Sequence, residues 1–248
     1  MKFSPFVTTP ALSAAILLAL ASATPASAAG PATRSAPPTP RAPATCRGQV
    51  AEVVPAGEDF VGSDADDVIV VAAPGSEIWG NFGDDLICLY GDSYHGSVVH
   101  GGPDDDRIIS YSGSHTILGD AGDDTIVANG ATMDVEGGDD DDIINVGGAT
   151  SATVYGGAGH DIISGSPGND SLFGNAGNDL VLGWDGNDTL YGDEGNDQLR
   201  GGQGWDGHSG GVGADACVDS ASAVDGGMFG ECESVVQTPA AADGFAFG

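Results

Sequence analysis

From residue 62 to residue 218 the chain repeats one nine-residue phrase, and so strict a period leaves few folds open. Its cleanest run is GNAGNDLVLGWDGNDTLYGDEGNDQLR, residues 174–200, three copies in succession. Each copy opens with Gly, has Gly fourth and Asp sixth, and carries an apolar residue eighth. Seven copies stand in tandem, starting at Gly156, Gly165, Gly174, Gly183, Gly192, Gly201 and Gly210. Five more lie upstream, starting at Gly62, Gly80, Gly101, Gly119 and Gly137, so that the upstream period is about two phrases. All twelve keep the sixth-position Asp. The intervening upstream halves, such as SYSGSHTIL and ANGATMDVE, keep the apolar eighth position at Ile117 and Val135 but lose the Gly and Asp of the turn.

Nine residues hold a six-residue turn and a three-residue strand. Two such units close one coil. The expected fold is therefore all-β, a parallel β-roll or β-helix solenoid of nonapeptide repeats with about 18 residues per coil. Coils then sit about 4.8 Å apart. Position-eight residues Ile69, Ile87, Ile126, Ile144, Ile163, Val181, Leu190 and Leu199 point inward and stack. Gly at the first and fourth positions is expected to supply the positive φ that a tight turn needs. Ala65, Asp104 and Asp140 replace the second Gly, and Ala tolerates that conformation least, which makes the turn at Gly62 the weakest. One inward residue per strand is a thin core against backbone ordering of about 1–2 kcal/mol per residue.

Charge sharpens the problem. Six basic residues face 37 acidic ones, and Lys2, Arg34, Arg41 and Arg47 all precede the first acidic residue. Arg107 and Arg200 alone are left among the carboxylates, and such self-repulsion opposes a compact state. Nucleic acid is excluded as a partner by the same imbalance. A disordered acidic segment does not place Val, Ile and Leu on a fixed period, so a cation from outside the sequence is needed.

The first residues read differently. Lys2, the short apolar run AAILLALA and the small-residue site Ala26-Ser27-Ala28 form a secretory signal peptide over residues 1–29, cleaved after Ala28 or Ala29. The run is too short to span a bilayer. Residues 30–45 read as a Pro/Ala-rich linker. An N-terminal cap over 46–61, the repeats over 62–218 and a C-terminal cap and tail over 219–248 complete the expected division. Export would make the protein extracellular. There Cys46, Cys88, Cys217 and Cys232 favour two disulfides over metal ligation. Cys88 is a ninth-position residue and points outward, so a Cys46–Cys88 bond would fold the N-terminal segment over the first rungs. Cys217–Cys232 would close a short loop after the last turn. The other pairings stay open at this level.

The phrase resembles the Gly-Gly-x-Gly-x-Asp-x-U-x repeat of the RTX, or haemolysin-type, calcium-binding proteins. Both ends are similar to small secreted calcium-binding repeat proteins of actinobacteria, with a Cys before the first repeat and a terminal Cys-Glu, here Cys232-Glu233. The resemblance implies that each turn lends Gly carbonyls and its Asp to a Ca²⁺ held between stacked turns. The implied ligands are Asp67, Asp85, Asp106, Asp124, Asp142, Asp161, Asp170, Asp179, Asp188, Asp197, Asp206 and Asp215. Ca²⁺ is a hard cation that takes six to eight oxygens, which suits this set, whereas Zn²⁺ would want His or Cys. The register puts nine turns on one edge and those starting at 165, 183 and 201 on the other, with room between turns for up to about ten Ca²⁺ ions. At millimolar Ca²⁺, sites of this class would together add roughly 4–14 kcal/mol, the stability of a typical domain. Folding is therefore expected to depend on the ion, and Mg²⁺ to replace it poorly.

Three functions compete. In the first, the chain is a stand-alone calcium-binding module without enzymatic activity, structural or directed at a protein or cell-surface partner. Repeats and caps fill the mature chain, which is expected to leave no room for a catalytic domain. The second is a β-helix enzyme acting on polysaccharide, with candidates His95, His100, Arg107 and His115 near Tyr94 and Tyr111. The third is the folding and secretion module of a larger toxin. Outward residues favour a partner surface: Val68, Leu86, Ile109, Val127, Ile143, Ile162, Leu180 and Leu182 on one sheet, and Trp79, Tyr155, Phe173 and Tyr191 on the other.

Overall fold

Gly/Asp turns separated by short apolar strands wind the chain into stacked coils, in which a strand pairs in parallel with its counterpart one coil on. The computed structural model describes residues 45–220 except 56, 73, 74 and 91–95, and beyond them 229, 230, 232 and 234–238. The signal peptide, nearly all of the linker, Tyr94, His95 and most of the C-terminal tail lie outside the described residues.

Among the described residues two parallel sheets, of 11 and 10 strands, line the solenoid, and no helix is assigned. In the first sheet Ile69, Ile87, Ile108, Ile126, Ile144, Ile163, Val181, Leu199 and Cys217 stand in one register column. In the second, Phe60, Ile78, Val99, Ile117, Val135, Val154, Leu172, Leu190 and His208 do the same. The expected parallel solenoid and its inward eighth position are thus present, and the apolar residues of both columns merge into one buried core.

That core is not uniformly one residue deep. Upstream strands are longer and turn a further residue inward: Val71, Leu89, Ser110, Ala128 and Val146 are buried. On the second edge Ser76, Ser97, His115, Met133 and Ala152 stand where a turn Asp would, and they too are buried. The expectation of a thin core therefore holds only from about residue 153 onward, where the turns on both edges are ionic. The physical reason lies in the degenerate halves. Without a Gly/Asp turn they fill their corner with side chains.

The N-terminal strands Thr45–Cys46 and Gln49–Val50 pair antiparallel across a turn at Arg47 and Gly48. They lie on the outer face of the first sheet, where Cys46 and Cys88 are bonded and buried with Val70 and Ile109. Val68, Leu86 and Val127 are half-buried against the same cluster, so this part of the outward apolar stripe is covered. Farther along the same face Ile143 and Ile162 remain 49% and 42% exposed. At the other end the inward Cys217 bonds Cys232, which packs against the main core.

Candidate metal centre

Each turn Asp but the first, Asp67, is fixed by the turn before it. The backbone N–H of Asp67 donates to Asp85 Oδ1 at 2.7 Å, that of Asp85 to Asp106 Oδ1 at 2.8 Å, and that of Asp106 to Asp124 Oδ1 at 2.7 Å. The same bond links Asp124 to Asp142, Asp142 to Asp161, Asp161 to Asp179, Asp179 to Asp197 and Asp197 to Asp215. On the opposite edge Ala152, Asp170 and Asp188 donate in turn to Asp170, Asp188 and Asp206. The twelve sequence-derived residues therefore form two ladders, nine on one edge and three on the other, in the expected register.

Oδ1 is thus committed to structure, and Oδ2 is the oxygen in question. In Asp85, Asp106, Asp124, Asp142, Asp161, Asp179, Asp188 and Asp197 it is buried without a hydrogen-bond partner in the protein. A Cβ placed on the first-position Gly of any of these turns would collide with that Oδ2 and with the carbonyl of the next turn's first Gly, or close to it. Carbonyls of the second and fourth positions likewise press on the facing turn, as Asp120 O does on Gly138 and Gly177 O on Gly195. Each gap between turns is accordingly bounded by backbone carbonyls and one carboxylate oxygen. Among the described residues no three His, Cys, Asp or Glu side chains converge on one point. A cation held here takes most of its ligands from the main chain, which fits a hard oxygen-seeking ion and not Zn²⁺.

Burial dominates the titration of these groups. It pushes Asp85 and Asp161 up to about 6, Asp106, Asp142, Asp179 and Asp188 to about 7, and Asp124 to about 8. Asp197 is raised for the same reason. The N–H received from the neighbouring coil pulls each of them down by a smaller amount, and flanking carboxylates push most of them further up. A protein that keeps partly desolvated carboxyls in a row is built for a counter-charge.

Three features went unread in the sequence. The first-position Gly does not adopt positive φ: the left-handed residues are at the second and fourth positions, such as Asp120 and Gly122 in one turn. The first position needs Gly for space, as the collisions above show. Second, the fifth position carries its own ladder. Its side chain accepts the N–H of the next coil's fifth residue, as in Asp123 to Asp105 at 3.0 Å, Asn178 to His160 at 2.8 Å and Ala214 to Asn196 at 2.9 Å. Asp or Asn stands there in nine of twelve turns, and it is lost in the last turn of each edge, at Trp205 and Ala214. Third, the first turn of each edge is closed by serine. Ser63 N and Oγ donate to Asp67 Oδ2 at 2.7 and 3.0 Å. Ser166 N donates to Asp170 Oδ2 at 2.6 Å and its Oγ to Oδ1 at 2.9 Å.

Among the described residues the candidate catalytic group, here His100, Arg107, His115 and Tyr111, is not brought together. His115 is buried at the upstream part of the second edge, where Nδ1 accepts from Ser97 N at 3.1 Å and Nε2 contacts Ser112 O at 2.8 Å. Burial pushes its pKa down. It occupies the ladder position of a turn Asp. His100 instead stacks on Trp79 at 3.7 Å on the outer face of the second sheet and contacts Asp120, while Arg107 is exposed on the first sheet. Tyr111 stacks on Tyr90 at 4.5 Å.

Comparison with known proteins agrees with this geometry. The family model described as the RTX calcium-binding nonapeptide repeat (4 copies) matches residues 98–131, 146–181, 155–190 and 182–216. The turns at 62, 80 and 137 fall outside those stretches yet continue the same ladder. No curated protein matches the chain.

Proposed function

This chain carries the RTX calcium-binding nonapeptide repeat, and from that premise we propose that it is an exported solenoid whose coils are locked by Ca²⁺ and whose role is structural or partner-binding, without catalysis. The observation that carries this reading is the row of eight buried Oδ2 atoms lacking a hydrogen bond, each facing carbonyls of the adjoining turn. The ion would supply the positive charge that only Arg107 and Arg200 offer within the repeats. Asp85, Asp106, Asp124, Asp142, Asp161, Asp179 and Asp197 would hold it on the long edge, and Asp188 on the short one. Asp67 and Asp170 serve their own serines, and Asp206 and Asp215 belong to the last copies of the repeat, with no further Gly/Asp phrase after them in the sequence. The serine-closed turns thus reduce the sites from about ten to about eight.

Two disulfides and the signal-like N-terminus support an extracellular location, where Ca²⁺ would be plentiful. Among the described residues no helix is long and apolar enough to cross a membrane. Calorimetric titration of the chelated protein tests the proposal. Uptake of about eight Ca²⁺ with a rise in strand content is expected. Unchanged strand content and no uptake would overturn it.

A further inference from the structure

We propose that the cleft beside Trp184 binds a neutral sugar, one ring face of which lies on the indole. Trp184 is the second residue of the turn that starts at Gly183, and its φ is 77°. Every other left-handed second position of the repeat is Gly, Asn or Asp, such as Gly157, Asn175 and Asp193. A bulky side chain in this conformation is strained, and such strain persists where it serves a site. Packing does not account for it, because the residue is 56% exposed. Nor does the ring swing freely. Its Nε1–H donates to Ser164 Oγ, one coil back, at 2.8 Å.

So held, the indole walls one side of a cleft of about 320 Å³. Strand register places Asn145, Ser164 and Leu182 on successive coils, so the facing wall is Asn145 and the floor runs from Ser164 to Pro167. Asp185 flanks the ring. The volume lies within the usual range for small-ligand sites, roughly 300–1,000 Å³.

The chemistry selects the ligand. An oriented aromatic face receives the C–H face of a pyranose and excludes water from it. Asn145 Oδ1 already accepts from Gly147 N at 2.9 Å, which leaves its amide protons to donate to sugar oxygens. The Asp185 carboxylate accepts from hydroxyls. Neither Lys nor Arg lines the cleft, and the chain carries a net charge of −31, so uronates and sulfated sugars are repelled. An uncharged glycan, such as a hexose polymer at a cell surface, is the class that fits.

This site deepens the partner-binding role and rests on the calcium reading in one respect: the cleft exists only while the coil is wound, and the gap after the Gly183 turn, at Asp188, is the calcium site proposed on that edge. The full mature protein in Ca²⁺ is titrated with cello-, manno- and chito-oligosaccharides, and with oligogalacturonate as the anionic control. Binding is followed by calorimetry and tryptophan fluorescence, with far-UV circular dichroism on the same samples. We expect saturable binding of at least one neutral series and none of the uronate. Trp184→Ala should weaken it at least about tenfold, Trp184→Phe should retain most of it, and Trp205→Ala, on the next turn, should leave it unchanged. Failure of the coil to form in Ca²⁺ would indict the calcium reading. A folded coil that ignores every neutral series, or binds one equally well as Trp184→Ala, overturns the sugar site.

Discussion

Raising the pH of the chelated protein from about 4 to about 8 should unfold it, the opposite of ordinary acid denaturation. The turn carboxyls start from 3.8 in an open chain, and burial in the coil lifts seven of them to between about 6 and about 8. A carboxyl whose folded pKa is raised costs nothing below its unfolded value, where both states hold the proton. Its cost grows as pH rises and is complete above the folded value. Each unit of that rise costs about 1.4 kcal/mol. Counting one unit for each of the seven, to allow for water reaching the edges, gives about 10 kcal/mol. That matches the entire stability of a typical domain. Strand content by far-UV circular dichroism in chelator, stepped through this window, should fall as pH rises. Saturating Ca²⁺ should reverse the slope, because coordination requires the ionised carboxylate and a proton must leave. Strand content in chelator that is flat, or that rises with pH, would refute the reasoning.

Other perturbations separate the parts of a turn. Gly156→Ala puts a Cβ into Asp161 Oδ2 and the Gly174 carbonyl; it should remove one calcium equivalent and cost about 1–3 kcal/mol by urea denaturation in Ca²⁺. A variant with unchanged stoichiometry would show that the first-position Gly does not border a site. Ser166→Gly removes the hydroxyl on Asp170 Oδ1 and permits the left-handed second position found elsewhere, which would turn the residue-166 N–H away from Oδ2. Calcium uptake by calorimetry should rise by one equivalent, and no change would mean that serine is not what keeps the ion out.

The coil, its two edges and the inward column are legible in the sequence because all three follow from one number, the spacing of the sixth-position Asp. Register makes the outward Cys88 and the inward Cys217 readable too, and the two bonds join those positions to Cys46 and Cys232. What escapes has a common cause. Each phrase reads as a turn complete in itself, whereas its contacts run to the facing coils. A lone turn shows no neighbour for a Cβ to strike, so its first Gly reads as a demand of φ alone. Asn178 and Asn196 draw no notice because their partners are backbone N–H groups one coil on. Ser63 and Ser166 resemble tolerated variation until their hydroxyls are seen on Asp67 and Asp170. His115 resembles chemistry because a sequence does not reveal that the Asp position of a degenerate turn is buried.

The change in depth along the axis, with doubled interior columns before residue 153 and single ones after it, gives the molecule a direction. The front coils have the deeper hydrocarbon interior, while the rear coils, with a single apolar residue per strand, would lean more on bound ions. In a linear stack each coil rests on the one before. If the chain is exported as proposed, order would start at the N-terminal coils and advance backward along the thread as calcium is met. A chain assembled this way stays slack where the ion is scarce and stiffens on arrival, so the medium itself would draw it outward.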